Sequence, residues 1–301
     1  MTIETVFMFD LIVFSTPRSG SSLLCEDIHL NNLYSYIDEY LLYFTDSRHS
    51  DQMPWDVIRE IRIRLEKMSP DRNLSAGINI QATQIKKIGY FCQRGQNGDS
   101  LSSNLLEFSS NSKVIYHYRS NIISQAISFQ LAATCQRIHS RKDDLLAGDS
   151  VNIFEDVHEM TQASGYDSEG LSPDRIFLKA LDLYYENVFL IIVSLLVSNC
   201  FIVNYESYLK NPLNVLNHIG PLRDPSTNNT MIAERRSLMR VDKPSFYGKL
   251  YKQITEVANS QGYGNSLECF SPTSVRNAFS NLTKGDLISL LNSMASSQLF
   301  G

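Results

Sequence analysis

The residues with the clearest chemical potential lie in FSTPRSGSSLL, Phe14 to Leu24. An apolar run, FDLIVF, leads in, and a helical pattern, SSLLCEDIHL, leads out. A strand that passes through a Ser/Gly turn into a helix presents amides and hydroxyls to a phosphate-like anion. Arg18 supplies a cation, Gly20 can take the angles of a tight turn, and Ser19, Ser21 and Ser22 add donors. Aligned on GxxxxGK followed by Ser or Thr, with Gly20 as the second glycine, the first glycine becomes Ser15 and the lysine becomes Ser21. The triphosphate signature therefore fails. What remains is a cradle for one small oxyanion, or an ordinary serine-rich helix entry.

A second stretch, VIYHYRSNIISQAISFQLA from Val114 to Ala132, has the same layout. The spacing predicts a strand ending at Arg119, a cap at Asn121, and a helix with Ser124 and Ser128 one turn apart on one face. A guanidinium fork completed by a hydroxyl suits a phosphate. Arg119 and Ser128 are the candidates, with Ser124 in place of Ser128 if the helix is rotated. Ser124 alone reads better as a helix-interior serine bonded back to its own backbone.

Both stretches resemble one family, the sulfotransferases that use 3'-phosphoadenosine 5'-phosphosulfate. PRSGSSLL looks like their 5'-phosphosulfate loop, P-[K/R]-[S/T]-G-[S/T]-[S/T], and the Arg119 stretch is similar to their 3'-phosphate motif. SQAISF in particular is similar to the form in bacterial carbohydrate sulfotransferases of the trehalose-sulfating type. The resemblance implies transfer of a sulfuryl group to a hydroxyl on a carbohydrate or glycoconjugate, with adenosine 3',5'-bisphosphate as product. It implies donor binding by Arg18, Ser19, Gly20, Ser21, Ser22, Arg119 and Ser128, with Arg18 also stabilising the departing phosphate. It requires no metal, and by analogy it makes a homodimer the expected assembly.

The proton must go to a carboxylate or histidine near the loop, since serine and arginine are poor bases near neutral pH. In NNLYSYIDEYLLYF the family's Gly-Glu-Pro-x-Glu-Phe-like segment carries the base onto Glu39, although the Gly and Pro are missing. The plainer reading makes Asp38 and Glu39 an exposed acidic pair. Glu26, His29 and His117 are the other nearby titratable groups, and His117 reads as a satisfied histidine of the core or sheet end. The remaining histidines, His49, His139, His158 and His218, lack metal-ligand spacing. SAGINIQ, Ser75 to Gln81, departs from the family by placing Ile78 where a lysine stands, with Asn79 available to compensate. YESYLKNP looks like the segment that ends another core strand, with a mostly structural role. RRSLMRVDKP loosely resembles the loop over the nucleotide's 3' side, so Arg235, Arg236, Arg240 and Lys243 are candidates against a solvated basic face.

Positioning these groups calls for an α/β fold: a P-loop-like parallel sheet flanked by helices, with polar insertions and a C-terminal helical extension. Strands are expected at Phe9–Phe14, Val114–Tyr118 and Cys200–Tyr205, the last after a long helical segment, DRIFLKALDLYYENVFLIIVSLLV. Asn211 and Pro212 should open a helix running to Gly220, and the tail from Ser271 reads as two helices broken near Lys284 and Gly285. Gly95–Ser112 and Arg141–Pro173 are polar insertions, the second either a lid or a surface loop. All of this fits one domain of 301 residues, with a core over about 9–250 and an extension over 251–301 to which no role is given.

Composition allows a sizeable core, with 43% hydrophobic and 20% charged residues. A net charge of −5 without a basic run argues against nucleic acid as the partner. Cys25, Cys92, Cys135, Cys200 and Cys269 form no CxxC pair, which fits a reducing cytoplasm. The N-terminus lacks a basic leader, and FLIIVSLLV at Phe189–Val197 is shorter than the about 20 residues of a membrane span. Burial against the sheet is its simpler account. Two readings compete with a sulfotransferase: a small-molecule kinase on a P-loop fold, and a non-catalytic nucleotide-binding relative.

Overall fold

The computed structural model describes residues 9–31, 34, 37, 75–85, 105–106, 108–134, 171–197, 199–220, 222 and 245–296. Among them the chain runs β1 (Leu11–Ser15), α1 (Ser21–Asn31), β2 (Gly77–Gln81), β3 (Lys113–Tyr118) and α2 (Ile122–Thr134). It continues as α3 (Pro173–Leu196), β4 (Cys200–Asn204), α4 (Tyr205–Lys210), α5 (Pro212–Ile219) and α6 (Ser245–Ser260). Last come α7 (Gly264–Glu268), α8 (Pro272–Ala278) and α9 (Lys284–Ser296). The chain divides into two compact units, one of Met1–Tyr118, Tyr185–Pro225 and Pro272–Gly301, the other of Arg119–Tyr184 and Ser226–Ser271.

The first unit holds a parallel sheet of order β2-β1-β3-β4. Its central strand LIVFS is buried along its whole length, as expected where both faces of a parallel sheet are covered. Asp10 fixes where the strands start: its Oδ2 accepts from the Ala76 amide at 2.8 Å, and its carbonyl accepts from the Lys113 amide at 2.9 Å. The expected Phe9 therefore precedes the strand, buried edge-on against Phe108 with ring centroids 6.0 Å apart. The sheet gains β2, which the sequence pattern does not announce. Its apolar residues are only Ile78 and Ile80, alternating with Asn79 behind a glycine.

The apolar stretch of α3 is core, as burial against the sheet required. Phe189 to Val193 are fully buried, and Tyr116 of β3 donates to Asn187 Oδ1 of the same helix at 2.8 Å. No helix among the described residues is long and apolar enough to cross a membrane. Two boundary expectations change. Asn211 makes no side-chain cap, so α5 starts on the preset geometry of Pro212 alone. The break in the tail lies before Lys284, because Thr283 and Asp286 form a reciprocal cap: Asp286 N donates to Thr283 Oγ1 at 3.2 Å, and Thr283 N to Asp286 Oδ2 at 2.9 Å.

The second unit contains α2, the first part of α3, α6 and α7. Tyr263 packs edge-on against Phe177 and Tyr184 at 6.4 and 6.3 Å, and Tyr184 against Phe270 at 5.6 Å. Ile254, Ala258 and Leu267 are fully buried within it. Lys179 lies 4.3 Å over the Phe129 ring. Most of the expected insertion at 141–173 lies outside the described residues, as do Arg235, Arg236, Arg240 and Lys243.

Candidate functional site

In open parallel sheets, ligands bind beyond the carboxyl ends of the strands, where successive connections diverge to opposite sides. Here β1 leads to β2 on one side, and the chain then passes to β3 on the other, so that point is the carboxyl end of β1 and β3. Ser15 and His117 are register partners there. The loop Thr16–Gly20 leaves β1 at this end and enters α1.

The loop turns sharply. Ser19 N donates to the Thr16 carbonyl at 3.2 Å, and both Arg18 (φ 60°) and Gly20 (φ 93°) lie in the left-handed region. A strained non-glycine residue in such a turn is a common mark of an anion loop, where alternating backbone angles point successive amides to one side. The Gly20 carbonyl accepts from Leu24 N at 3.2 Å, the first bond of α1. The amides of Ser21, Ser22 and Leu23 thus precede any helical acceptor and sit at the positive end of the helix dipole.

Asn79 holds the two ends of this loop together. Its Oδ1 accepts from Ser15 Oγ at 2.9 Å, and its Nδ2 donates to Ser21 Oγ at 3.2 Å. The amide is 1% exposed. Ile78 is fully buried and paired with Ile12, so it belongs to the core. Asn79, on the other face of β2, is the residue that serves the loop. We expect Asn79→Ala to cost about 1–3 kcal/mol of stability in urea denaturation, because two buried hydroxyls lose their partner. A loss below about 0.5 kcal/mol would show that the amide does not fasten the loop.

Among the described residues, Ser19 Oγ, Gln84 Nε2 and both ring nitrogens of His117 are buried at this end without a hydrogen bond. Buried orphans of this kind are uncommon and mark places where a ligand or water completes the bonding. The Gln84 amide oxygen accepts from Gln81 N at 2.8 Å, which fixes the side chain at the end of β2. His117 has the buried sheet-end position the sequence suggested, but its nitrogens are not satisfied. Burial drives its pKa down to about 4, against the opposing pull of the Ser19 backbone, the Glu206 charge and the Val203 backbone. Neither ring nitrogen makes a hydrogen bond of ordinary geometry, so those backbone contacts are weak, burial wins and the ring is neutral near neutral pH.

Tyr205–Lys210 of YESYLKNP form α4, so the strand ends at Asn204 and not at Tyr205 as expected. Asn204 ends the strand by capping the helix, with Oδ1 accepting from Ser207 N at 2.8 Å. Tyr205 then lies against Gly20, and His117 meets the Tyr205 and Tyr208 rings edge-on at 6.2 and 6.4 Å. Tyr208 OH donates to the buried carboxylate of Asp27 on α1. This segment backs the loop between β1 and α1 through Tyr205 and ties to α1 through Tyr208.

Among the candidates, Arg18, Ser19, Gly20, Ser21 and Ser22 form one loop, with Ser19 and Ser21 buried, Arg18 and Gly20 half-buried and Ser22 exposed. Arg119 opens the second unit. It precedes α2, whose cap is the expected one: Asn121 Oδ1 accepts from Ser124 N at 2.7 Å. Ser124 is buried and Ser128 half-buried on that helix. Asp38 and Glu39 lie outside the described residues. No family model and no curated protein matches the chain. Gln84, Tyr205, Tyr208 and Asp27 are the residues that sequence reasoning missed here.

Proposed function

We propose that this chain is a sulfotransferase that moves the sulfuryl group of 3'-phosphoadenosine 5'-phosphosulfate to a hydroxyl of a carbohydrate or glycoconjugate. The observation that supports this most is the loop between β1 and α1. It combines a left-handed arginine, a glycine with no room for a side chain, an orphaned serine hydroxyl and a serine where a triphosphatase carries lysine. Those features suit a small tetrahedral oxyanion better than a magnesium-bound triphosphate chain.

In this reading Arg18, Ser19, Gly20, Ser21 and Ser22 hold the 5'-phosphosulfate, and Arg119 with Ser128 holds the 3'-phosphate. The acceptor oxygen attacks sulfur in line. A new O–S bond forms as the bond from sulfur to the 5'-phosphate oxygen breaks, and the electron pair leaves on adenosine 3',5'-bisphosphate. Arg18 and the amides at the start of α1 stabilise that growing charge, commonly the largest single contribution to such a rate. Glu39 takes the acceptor's proton. The step needs no metal, and we place it in a reducing cytoplasm, with a homodimer as the working assembly.

A thermal-shift comparison tests the donor. Adenosine 3',5'-bisphosphate at about 100 times its Kd should add about 2.7 kcal/mol to stability and raise Tm by several degrees. ATP with magnesium should leave Tm unchanged. Stabilisation by ATP alone would replace this reading with the kinase one, and a shift with the bisphosphate but no labelled sulfuryl transfer to any glycan would leave a nucleotide-binding relative.

A further inference from the structure

We infer that Tyr251 and Glu268, from the part of the chain to which the sequence assigns no role, are positioning residues for the Arg119 phosphate grip; the inference rests on the donor reading above. The backbone from Arg119 to Asn121 is held at two points within the second unit. The Phe270 amide donates to the Ser120 carbonyl at 2.9 Å. On the side-chain side, Asn121 Nδ2 donates to Tyr251 OH at 2.8 Å, and Tyr251 OH donates to Glu268 Oε1 at 3.0 Å. Thr255 Oγ1 adds a bond to the same carboxylate oxygen at 3.3 Å.

The chain of bonds has one direction. Glu268, as a carboxylate, can only accept, so the Tyr251 proton points to it and the tyrosine oxygen is left to accept from Asn121. That orients the Asn121 amide with its nitrogen towards Tyr251 and its oxygen towards Ser124 N, where it caps α2. The same residue therefore sets the start of the helix that carries Ser128 and closes the turn that begins at Arg119. Burial drives the Tyr251 hydroxyl up to about 12, the Asn121 donor opposing and Glu268 adding to the rise, so the proton stays in place across the working pH range. The carboxylate is anchored in turn, because Glu268 ends α7 and the next residues lead to Phe270, which packs on Tyr184.

A ligand pair separates positioning from mere folding. Adenosine 3',5'-bisphosphate and adenosine 5'-monophosphate differ only in the 3'-phosphate. By isothermal titration of the full chain, Tyr251→Phe and Glu268→Ala should each weaken the bisphosphate about tenfold and leave the monophosphate unchanged. Glu268→Gln keeps an oxygen for both hydroxyls and should restore the bisphosphate affinity to within about threefold of the wild type. Wild-type affinity for the bisphosphate in both Tyr251→Phe and Glu268→Ala overturns the inference, and so does an equal loss for both nucleotides. If the unaltered protein does not prefer the bisphosphate over the monophosphate, the donor reading itself fails, an outcome seen before any variant is made.

Discussion

Gly20→Ala should lower folding stability by roughly 3 kcal/mol and remove measurable bisphosphate binding. Two costs combine. At φ 93° an L side chain is strained, which costs about 1–2 kcal/mol for a left-handed residue. The added Cβ would also overlap Cδ2 and Cε2 of the Tyr205 ring and stand 3.3 Å from its Cγ. Overpacking of that kind costs about 1–3 kcal/mol. Tyr205 does not yield readily, because it begins α4 directly after the Asn204 cap and meets the His117 ring at 6.2 Å. A loop that moves to relieve the overlap carries with it the amides at the start of α1, on which the proposed binding depends. The two costs separate in a double-mutant cycle: with Tyr205→Ala as background, Gly20→Ala should cost only the left-handed part. If the cost is the same in both backgrounds, the ring is not what excludes a side chain at this position.

That pairing shows what the sequence could and could not disclose. The loop itself is legible, because a buried strand, a Ser/Gly turn and a helix entry follow one another along the chain. So are β1, β3 and β4, which are dense in apolar and β-branched residues, and the Asn121 cap, which lies three residues before the Ser124 amide that donates to it. The supports of the loop are not legible in the same way. Asn79 reaches Ser15 and Ser21 only once β2 pairs with β1, and Tyr205 reaches Gly20 only once β4 is added beyond β3. Neither partnership leaves a local pattern, since parallel pairing joins segments far apart in sequence. The apolar pattern CFIVNY carries the strand on to Tyr205, whereas the Asn204 cap turns the chain into a helix at that residue. Residues 251–301 carry ordinary amphipathic patterns, so nothing in them announces that Tyr251 and Glu268 hold the turn after Arg119.

Glu39→Gln should lower kcat by about a thousandfold, within the range for loss of a general base, while bisphosphate affinity stays within about twofold of the wild type. The proposed base, Glu39, follows α1 in the sequence, and three titratable groups among the described residues beside the loop are poor alternatives. His117 is fully buried and its neutral ring is held low in basicity, with a pKa of about 4, so it can neither meet an acceptor hydroxyl nor take its proton efficiently near pH 7. Asp27 is buried and receives the Tyr208 hydroxyl, and Glu206 accepts from Asn204 Nδ2 at 2.8 Å, so each already has a structural task. A carboxylate followed by an aromatic residue is what Asp38, Glu39 and Tyr40 offer. The measurement is turnover of labelled donor with whichever glycan a panel identifies as acceptor, followed from pH 5 to 9 beside a bisphosphate titration. Asp38→Asn should keep turnover within a few-fold of the wild type, and Glu39→Gln should lose the acidic limb of the rate profile along with the rate. Turnover that survives Glu39→Gln but falls in Asp38→Asn moves the base by one residue, and survival in both removes it from this segment altogether.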